Sequence, residues 1–90
     1  MQICRVIGHV WATKKEERLE GLKLMVVRDE EHPRSNNVFV AADVVGAGIG
    51  ERVLVVTGST ARKAFRREEV PVDMAIVAII DSLEIDKNAK

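Results

Sequence analysis

Ninety residues make one small domain, and a chain of this length hides only about 60–65% of the surface that its unfolded form exposes. Fourteen basic residues balance fourteen acidic ones, which argues against a nucleic acid as the main partner, because such a partner favours a basic surplus. Hydrophobic residues make up 47% of the chain and aromatic residues only 3%, so the apolar mass is aliphatic and suits β-strands. The chain has more apolar surface than one small core can bury, which predicts that part of it is buried against other copies or partners.

The sequence also indicates where the protein resides. It has no run of about 18 apolar residues, so no membrane partner or membrane-spanning segment is expected. The first residues lack the basic and apolar pattern of a signal peptide. A single cysteine, Cys4, cannot form an internal disulfide. We therefore expect a protein of the reducing cytoplasm.

The first predicted strand covers residues 3–13. Its even positions are small or apolar and are expected to face the core: Cys4, Val6, Gly8, Val10 and Ala12. Its odd positions mix large apolar with polar residues, which indicates a contact surface rather than a solvated face; the prominent members are Ile7, His9 and Trp11. Gly8 is expected to mark a bend or a close approach.

A charged turn at residues 14–18 leads to a second strand at residues 22–28. A polar loop at residues 29–37 follows, and a third strand is predicted at residues 38–43.

Three glycines alternate with small apolar residues in the next segment, at Gly46, Gly48 and Gly50, with Ala47 and Ile49 between them. Glycine-rich loops can present backbone N–H groups to phosphates. However, the spacing is G-x-G-x-G, and a strand-like run follows instead of a helix, so the dinucleotide fingerprint is not met. We favour a shaped connection between two strands, in which Gly48→Val should disturb the path of the loop.

The fourth strand is predicted at residues 53–56, followed by a short helix at residues 58–65 that Ser59 or Thr60 can cap. A charged hinge at residues 66–69 precedes a last strand at residues 74–83, which is apolar on both faces and should be covered on both. Five strands and one short helix predict an all-β domain at residues 1–83, a partly open, five-stranded OB-like β-barrel. Residues 84–90 form a polar C-terminal tail.

Candidate catalytic or metal-binding residues are few. Cys4 and His9 are an odd number apart in a strand, which would place them on opposite faces, and two ligands fall short of a zinc site. His32 is expected to be solvated. A serine nucleophile at Ser59 or Thr60 needs a neighbouring base, and the sequence places neither histidine there. Asp43 and Asp73 are expected to cap turns. We predict no metal, no cofactor and no enzymatic activity.

A basic cluster lies in and after the predicted helix, at Arg62, Lys63, Arg66 and Arg67, where Glu68 and Glu69 neutralise it locally. The favoured interpretation is a solvated helix face. The alternative is ion pairing with acidic residues of a neighbouring subunit.

Several of these segments together resemble the EutN/CcmL family of bacterial microcompartment shell proteins. The most specific are D-x-V-G-A-G-x-G at residues 43–50, G-S-x-A-R at 58–62 and P-V-D at 71–73. They are joined by matching stretches at residues 4–15, 19–24 and 80–81, so that the likeness covers nearly the whole chain in order. Trp11 departs from the aliphatic residue expected at its position and could alter a subunit or facet contact.

The resemblance implies a β-barrel that assembles into homo-pentamers at the vertices of a cytoplasmic shell, beside hexameric or trimeric shell proteins. On that pattern the subunit interface or axial pore loop comprises Gly46, Ala47, Gly48, Ile49 and Gly50. The bottom-up candidates for the same interface are Ile7, His9 and Trp11. The alternative function is an OB-like module for single-stranded nucleic acid, which needs exposed aromatic residues on a basic groove.

Overall fold

The computed structural model describes residues 1–12, 15, 17–32, 37–65 and 72–86. In this part of the chain the strands are β1 (Gln2–His9), β2 (Lys23–Asp29), β3 (Val38–Asp43), β4 (Arg52–Thr57) and β5 (Met74–Ile79). A 3-10 turn covers Glu17–Leu19, and helix α1 covers Gly58–Lys63. No helix among these residues combines the length and apolarity needed to cross a lipid bilayer.

The five strands form a closed barrel in the order β1-β2-β3-β5-β4. All neighbouring pairs are antiparallel except β3 and β5, which run parallel. The expected all-β, five-stranded barrel with one short helix is confirmed. The barrel is closed rather than partly open, because β4 pairs with β5 on one side and with β1 on the other. The β3–β5 contact that closes the barrel is short, with only Ala42 opposite Ala75 and Asp43 opposite Ile76.

The barrel core consists of apolar side chains from every strand. Met25, Val27, Val53 and Val55 are each fully buried. A second, smaller cluster lies under α1, where Ala61 packs with Val56 and Ala75. The prediction that the last strand is covered on both faces is confirmed, since Ile76 belongs to the barrel core and Ala75 to the helix cluster.

A β-bulge in β1 corrects the predicted alternation. Val6 lies opposite Val27, but Gly8 lies opposite Val26, so Ile7 is the inserted residue. This confirms the expected irregularity at Gly8. Beyond the bulge the two faces exchange, because residues paired across two strands share a face.

The exchange has two consequences for the predicted faces of the first strand. His9 lies opposite the buried Met25, on the inner side, so it shares a face with Cys4 and the prediction of opposite faces is wrong. The strand also ends at His9, and Ala12 is exposed rather than in the core.

Other element boundaries also differ from the predicted ones. Helix α1 begins at Gly58, its N-cap is Thr57, and no side chain caps it, so capping by Ser59 or Thr60 is wrong. Strand β5 ends at Ile79, and residues 81–86 are exposed and outside regular structure. The predicted hinge at 66–69, and parts of the charged turn, the polar loop and the tail (13–14, 16, 33–36 and 87–90), lie outside the described residues.

Candidate functional site

The glycine loop, residues 44–51, is held at its start by the carboxylate of Asp43. Oδ1 of Asp43 accepts hydrogen bonds from the backbone N–H groups of Val45 at 3.0 Å and Gly46 at 3.1 Å. Its Oδ2 accepts from the N–H of Ala47 at 2.7 Å. The Asp43 side chain is fully buried, and Lys23 Nζ lies 3.7 Å from Oδ2. Asp43 therefore caps the turn, as the sequence predicts.

Lys23 and Ala47 attach the same half of the loop to the barrel. Lys23 Nζ donates to the carbonyl oxygen of Ala47 at 2.9 Å. The methyl group of Ala47 is fully buried in the barrel core. Ala47 thus fixes the loop to its own subunit and presents no side chain to a neighbour.

The second half of the loop is a tight turn next to β1. The N–H of Glu51 donates to Gly48 O at 3.2 Å, and Gly50, the third residue of this turn, has φ of +92°. A positive φ at that position is what type II turns require, and glycine adopts it without strain. The N–H of Gly50 donates to Val6 O at 2.8 Å, beside the bulge.

Two of the three glycines have left-handed backbones, and the third does not. Gly46 has φ of +82°, like Gly50, whereas Gly48 lies outside the positive-φ region. A Cβ added at Gly48 would meet only Glu51 Oε1, at 3.2 Å. That oxygen ends a flexible side chain, so the prediction that Gly48→Val disturbs the path of the loop has less support than the sequence suggests.

The backbone N–H groups of the loop are not available for phosphate binding, because carboxylates of the same chain already accept their hydrogen bonds. The N–H groups of Val45, Gly46 and Ala47 are bonded to Asp43, and that of Gly48 donates to Glu51 Oε1 at 2.6 Å. A phosphate would have to displace two carboxylates and would meet their negative charge. The arrangement is that of a rigid connection rather than an anion cradle.

An ion-pair cluster that sequence reasoning missed lies next to the loop. The Glu30 carboxylate accepts from Arg5 Nε through one oxygen and from Arg52 Nε, at 3.1 Å, through the other. Arg5 Nη1 also donates to Gly50 O at 2.7 Å. The hydrogen bond from Arg5 holds the pKa of Glu30 below its usual range, and the charges of both arginines act in the same direction.

A pocket of about 410 Å³ adjoins this cluster. Its lining residues are Arg5, Gly50, Glu51, Arg52, Ile79, Ile80 and Asp81. Glu30 already neutralises both guanidinium groups in part, and Glu51 and Asp81 add negative charge. The pocket therefore has no positive surplus with which to select an anionic ligand.

A second cleft, the Trp11 cleft, lies where β1 ends and β2 begins. Its volume is about 290 Å³, and its lining residues are His9, Val10, Trp11, Ala12, Lys15, Leu22, Lys23 and Leu24. The Trp11 side chain is 88% exposed, and its ring centre lies 5.6 Å from that of His9. Apolar side chains and two lysines line the cleft together.

Burial and hydrogen bonding shift the pKa values of two groups near the start of the chain, Cys4 and Asp29. Burial, followed by the nearby carboxylates of Asp29, Glu31 and Glu30, raises the pKa of the Cys4 thiol to about 11. His32 is exposed as expected, but its Nδ1 lies 3.1 Å from Oδ2 of the buried Asp29. That hydrogen bond lowers the pKa of Asp29. Within the described ranges, no three His, Cys, Asp or Glu side chains come together as metal ligands.

The predicted interface residues occupy two separate places in the structure. Gly46 to Gly50 form the tethered loop, where Ile49 is 60% exposed, and Ile7 lies at the bulge. His9 and Trp11 line the Trp11 cleft. Other large apolar side chains at the surface were not predicted as contacts: Met1, Val38, Val40, Val44, Val45, Leu83 and Ile85.

The aromatic side chains do not form a stacking surface for nucleic acid. Phe39 packs against the barrel core and Phe65 against the helix cluster, which leaves Trp11 exposed among the chain's three aromatic residues. Binding of a single strand through an OB-like barrel relies on successive bases stacking on several aromatic rings. The alternative function has little support in this arrangement.

Comparison with known proteins gives a consistent result along the chain. A family model described as "Ethanolamine utilisation protein EutN/carboxysome" matches residues 1–81. The carboxysome shell vertex protein CcmL of Synechococcus elongatus is 43% identical over 91 residues, which cover 99% of this chain and 92% of the relative. The microcompartment shell vertex protein PduN of Salmonella typhimurium is 44% identical, covering 92% of this chain and 98% of the relative.

A solved structure agrees with these sequence matches. The pentameric microcompartment shell protein GrpN of Rhodospirillum rubrum superimposes with a TM-score of 0.81 at 39% identity, covering 94% of this chain and all of that one. Likeness of sequence and of fold over nearly the full length leads to one conclusion: this chain belongs to the EutN/CcmL family.

Proposed function

We propose that this protein is a non-catalytic vertex component of a bacterial microcompartment shell, in which five copies close a ring. The observation that carries the proposal is its near full-length likeness, in sequence and fold, to relatives named as shell vertex proteins and as pentamers. The shell, inside the cell, is the proposed location, and hexameric or trimeric shell proteins are the proposed neighbours of the ring.

The outer surface of the barrel supports assembly. Large aliphatic side chains remain at the surface although the barrel core is complete, and Val44, Val45 and Ile49 project from the glycine loop with 41%, 40% and 60% of their surfaces exposed. Clusters of exposed apolar residues mark interaction sites in soluble proteins. A ring requires two different patches on each subunit, one contacting the other on the next copy.

The tethered glycine loop is the proposed first patch. Asp43, Lys23 and Val6 hold its backbone through hydrogen bonds from both sides. A loop held in this way loses little conformational entropy on association, so its exposed side chains contribute more of their burial to affinity. We assign residues 46–50, with Ile7 beside them, to a subunit contact or to the pore at the ring axis. His9 and Trp11 belong to the second proposed contact, at the Trp11 cleft.

Mass in solution tests the proposal. Five copies of 10.0 kDa give about 50 kDa, measurable by native mass spectrometry and sedimentation equilibrium. Ile49→Glu places a charge at the loop tip and should shift the equilibrium towards smaller species, because a buried unpaired charge is costly. Thr60→Glu, at an exposed position in α1, is the matched control and should leave the ring intact. A monodisperse monomer of the unaltered protein across the micromolar range would contradict the proposal.

A further inference from the structure

The segment at residues 82–86 has the pattern of a strand but no strand structure. Its sequence Ser-Leu-Glu-Ile-Asp alternates polar and apolar side chains, which is the period of a half-buried strand. Yet Leu83 is 45% exposed and Ile85 is 79% exposed. The apolar side of this segment is therefore not covered by its own barrel.

The Trp11 cleft offers a complementary surface. Val10, Leu22 and Leu24 form the apolar part of its lining, the apolar floor, and Lys15 and Lys23 line it as well. The apolar side chains of the segment match the floor. The carboxylate of Glu84 matches Lys15 and also Lys23, whose ammonium group donates to Ala47 O and has further N–H groups for a second acceptor. The cleft volume of about 290 Å³ is enough for a few side chains of a protein segment.

We propose that residues 82–86 of one copy dock in the Trp11 cleft of the next copy in the ring, with Leu83 and Ile85 against the apolar floor and Glu84 towards Lys15 and Lys23. This inference rests on the proposed ring and names a contact that closes it. Because donor and acceptor are different surfaces of one chain, the contact is of the kind that generates closed rings.

The length of the segment when extended is compatible with contact to a neighbouring copy. Strand β5 ends at Ile79, and the N–H of Ile80 donates to Arg52 O, so the chain leaves the barrel at the start of β4. The six residues 81–86 can extend over at most about 20 Å. The molecule is 23 Å by 22 Å in its two shorter dimensions. The extended segment is therefore about as long as the molecule is wide, which is enough to reach across to an adjacent copy.

A pair of cysteines tests the contact directly. Ala12 lies in the cleft wall and is exposed, and Ile85 is the outermost apolar residue of the segment. In the double variant Ala12→Cys with Ile85→Cys, a mild oxidant should join neighbouring copies into a ladder that ends at five on a non-reducing gel. The native thiol at Cys4 is buried and its pKa is raised to about 11, so it stays unreactive. The matched control, Ala12→Cys with Glu84→Cys, points the second thiol to the other side and should give several-fold less product.

The ring mass, measured on the same samples before oxidation, separates the possible outcomes. A ring that forms no intersubunit crosslinks, or only intrachain ones, overturns the docking and leaves the proposed function intact. A monomer at all concentrations overturns the proposed function and the docking with it.

Fluorescence gives a second readout, because Trp11 is the single tryptophan. Deletion of residues 82–90 should increase acrylamide quenching of Trp11 at least two-fold in any ring that persists. Equal quenching in the full-length and shortened rings contradicts the docking.

Discussion

Replacing Asp43 by alanine is expected to loosen the glycine loop while the barrel stays folded. The substitution removes the acceptor of three backbone N–H groups, at 3.0, 3.1 and 2.7 Å. A hydrogen bond to a charged group contributes about 1.5–3 kcal/mol. The amides of Val45 and Gly46 lie at exposed positions, where water replaces the carboxylate, so only the bond from Ala47 keeps its full value. Asp43 also forms an ion pair with Lys23. Because the Lys23 side chain is 45% exposed, this pair adds about 0–1 kcal/mol.

These contributions sum to an expected loss of about 1.5–4 kcal/mol for Asp43→Ala. A domain of 90 residues has a free energy of unfolding of about 5–13 kcal/mol, so the barrel should persist at room temperature. Urea unfolding followed by far-ultraviolet circular dichroism measures the loss. All variants are compared at one protein concentration, because assembly adds stability that depends on concentration.

Two further variants make the measurement specific. Asp43→Asn retains one acceptor oxygen but places an amide donor near the N–H of Ala47, so an intermediate loss is expected. Glu20→Ala removes an exposed acid that accepts no such bonds, and its free energy of unfolding should stay within about 0.5 kcal/mol of the unaltered protein. If Asp43→Ala is as stable as Glu20→Ala, the carboxylate does not hold the loop and the account of it is wrong.

Gly50→Ala should cost about 1–2 kcal/mol in urea unfolding, because φ is +92°, whereas Gly48→Ala should cost less; equal losses would contradict the assignment of strain. The Cys4 thiol should react with a disulfide reagent at about pH 8 only after unfolding, which absorbance measures, and rapid reaction of the folded protein would contradict its burial. The pKa values of Asp29 and Glu30 are lowered in the folded state, so their stabilisation is present above about pH 4 and is lost as the pH falls through the folded values. Urea midpoints measured across this acid range should fall as the pH falls. Glu30→Gln should make this dependence on pH less steep, and an unchanged dependence would contradict the role of Glu30.

The regular part of the fold was predictable because it follows from local pattern. The third strand was predicted at its observed bounds, Val38–Asp43, since β-branched and small residues end there at a turn-forming aspartate. The capping by Asp43 was predictable for the same reason, as its partners are two to four residues away. The predicted bounds of a strand were wrong where tertiary contacts determine them. The last strand, for example, was predicted to end at residue 83, but β5 ends at Ile79.

The bulge shows why the faces of β1 were only half predictable. Gly8 signalled an irregularity, but a strand sequence does not show whether one residue is inserted or the chain only bends. One inserted residue, Ile7, is enough to exchange the faces and bring His9 to the inner side.

The cluster of Arg5, Glu30 and Arg52 was beyond sequence reasoning for another reason. Its members are 25 and 22 residues apart, and only the pairing of β1 with β2 and β4 brings them together.

Closure of the barrel bears on how its exposed aliphatic side chains can be covered by another copy. Each strand has a neighbour on both sides in the closed order, which limits the edge that a second copy can extend and favours association through side chains and loops. Side-chain contacts give a definite angle between subunits only when the elements that present them are rigid. In this chain Asp43 and Lys23 hold one half of the glycine loop, and β1 holds the other. If the loop forms the proposed subunit contact, the angle that closes a ring at a fixed number of copies depends on the polar groups that fix the loop, while the exposed aliphatic side chains supply the affinity.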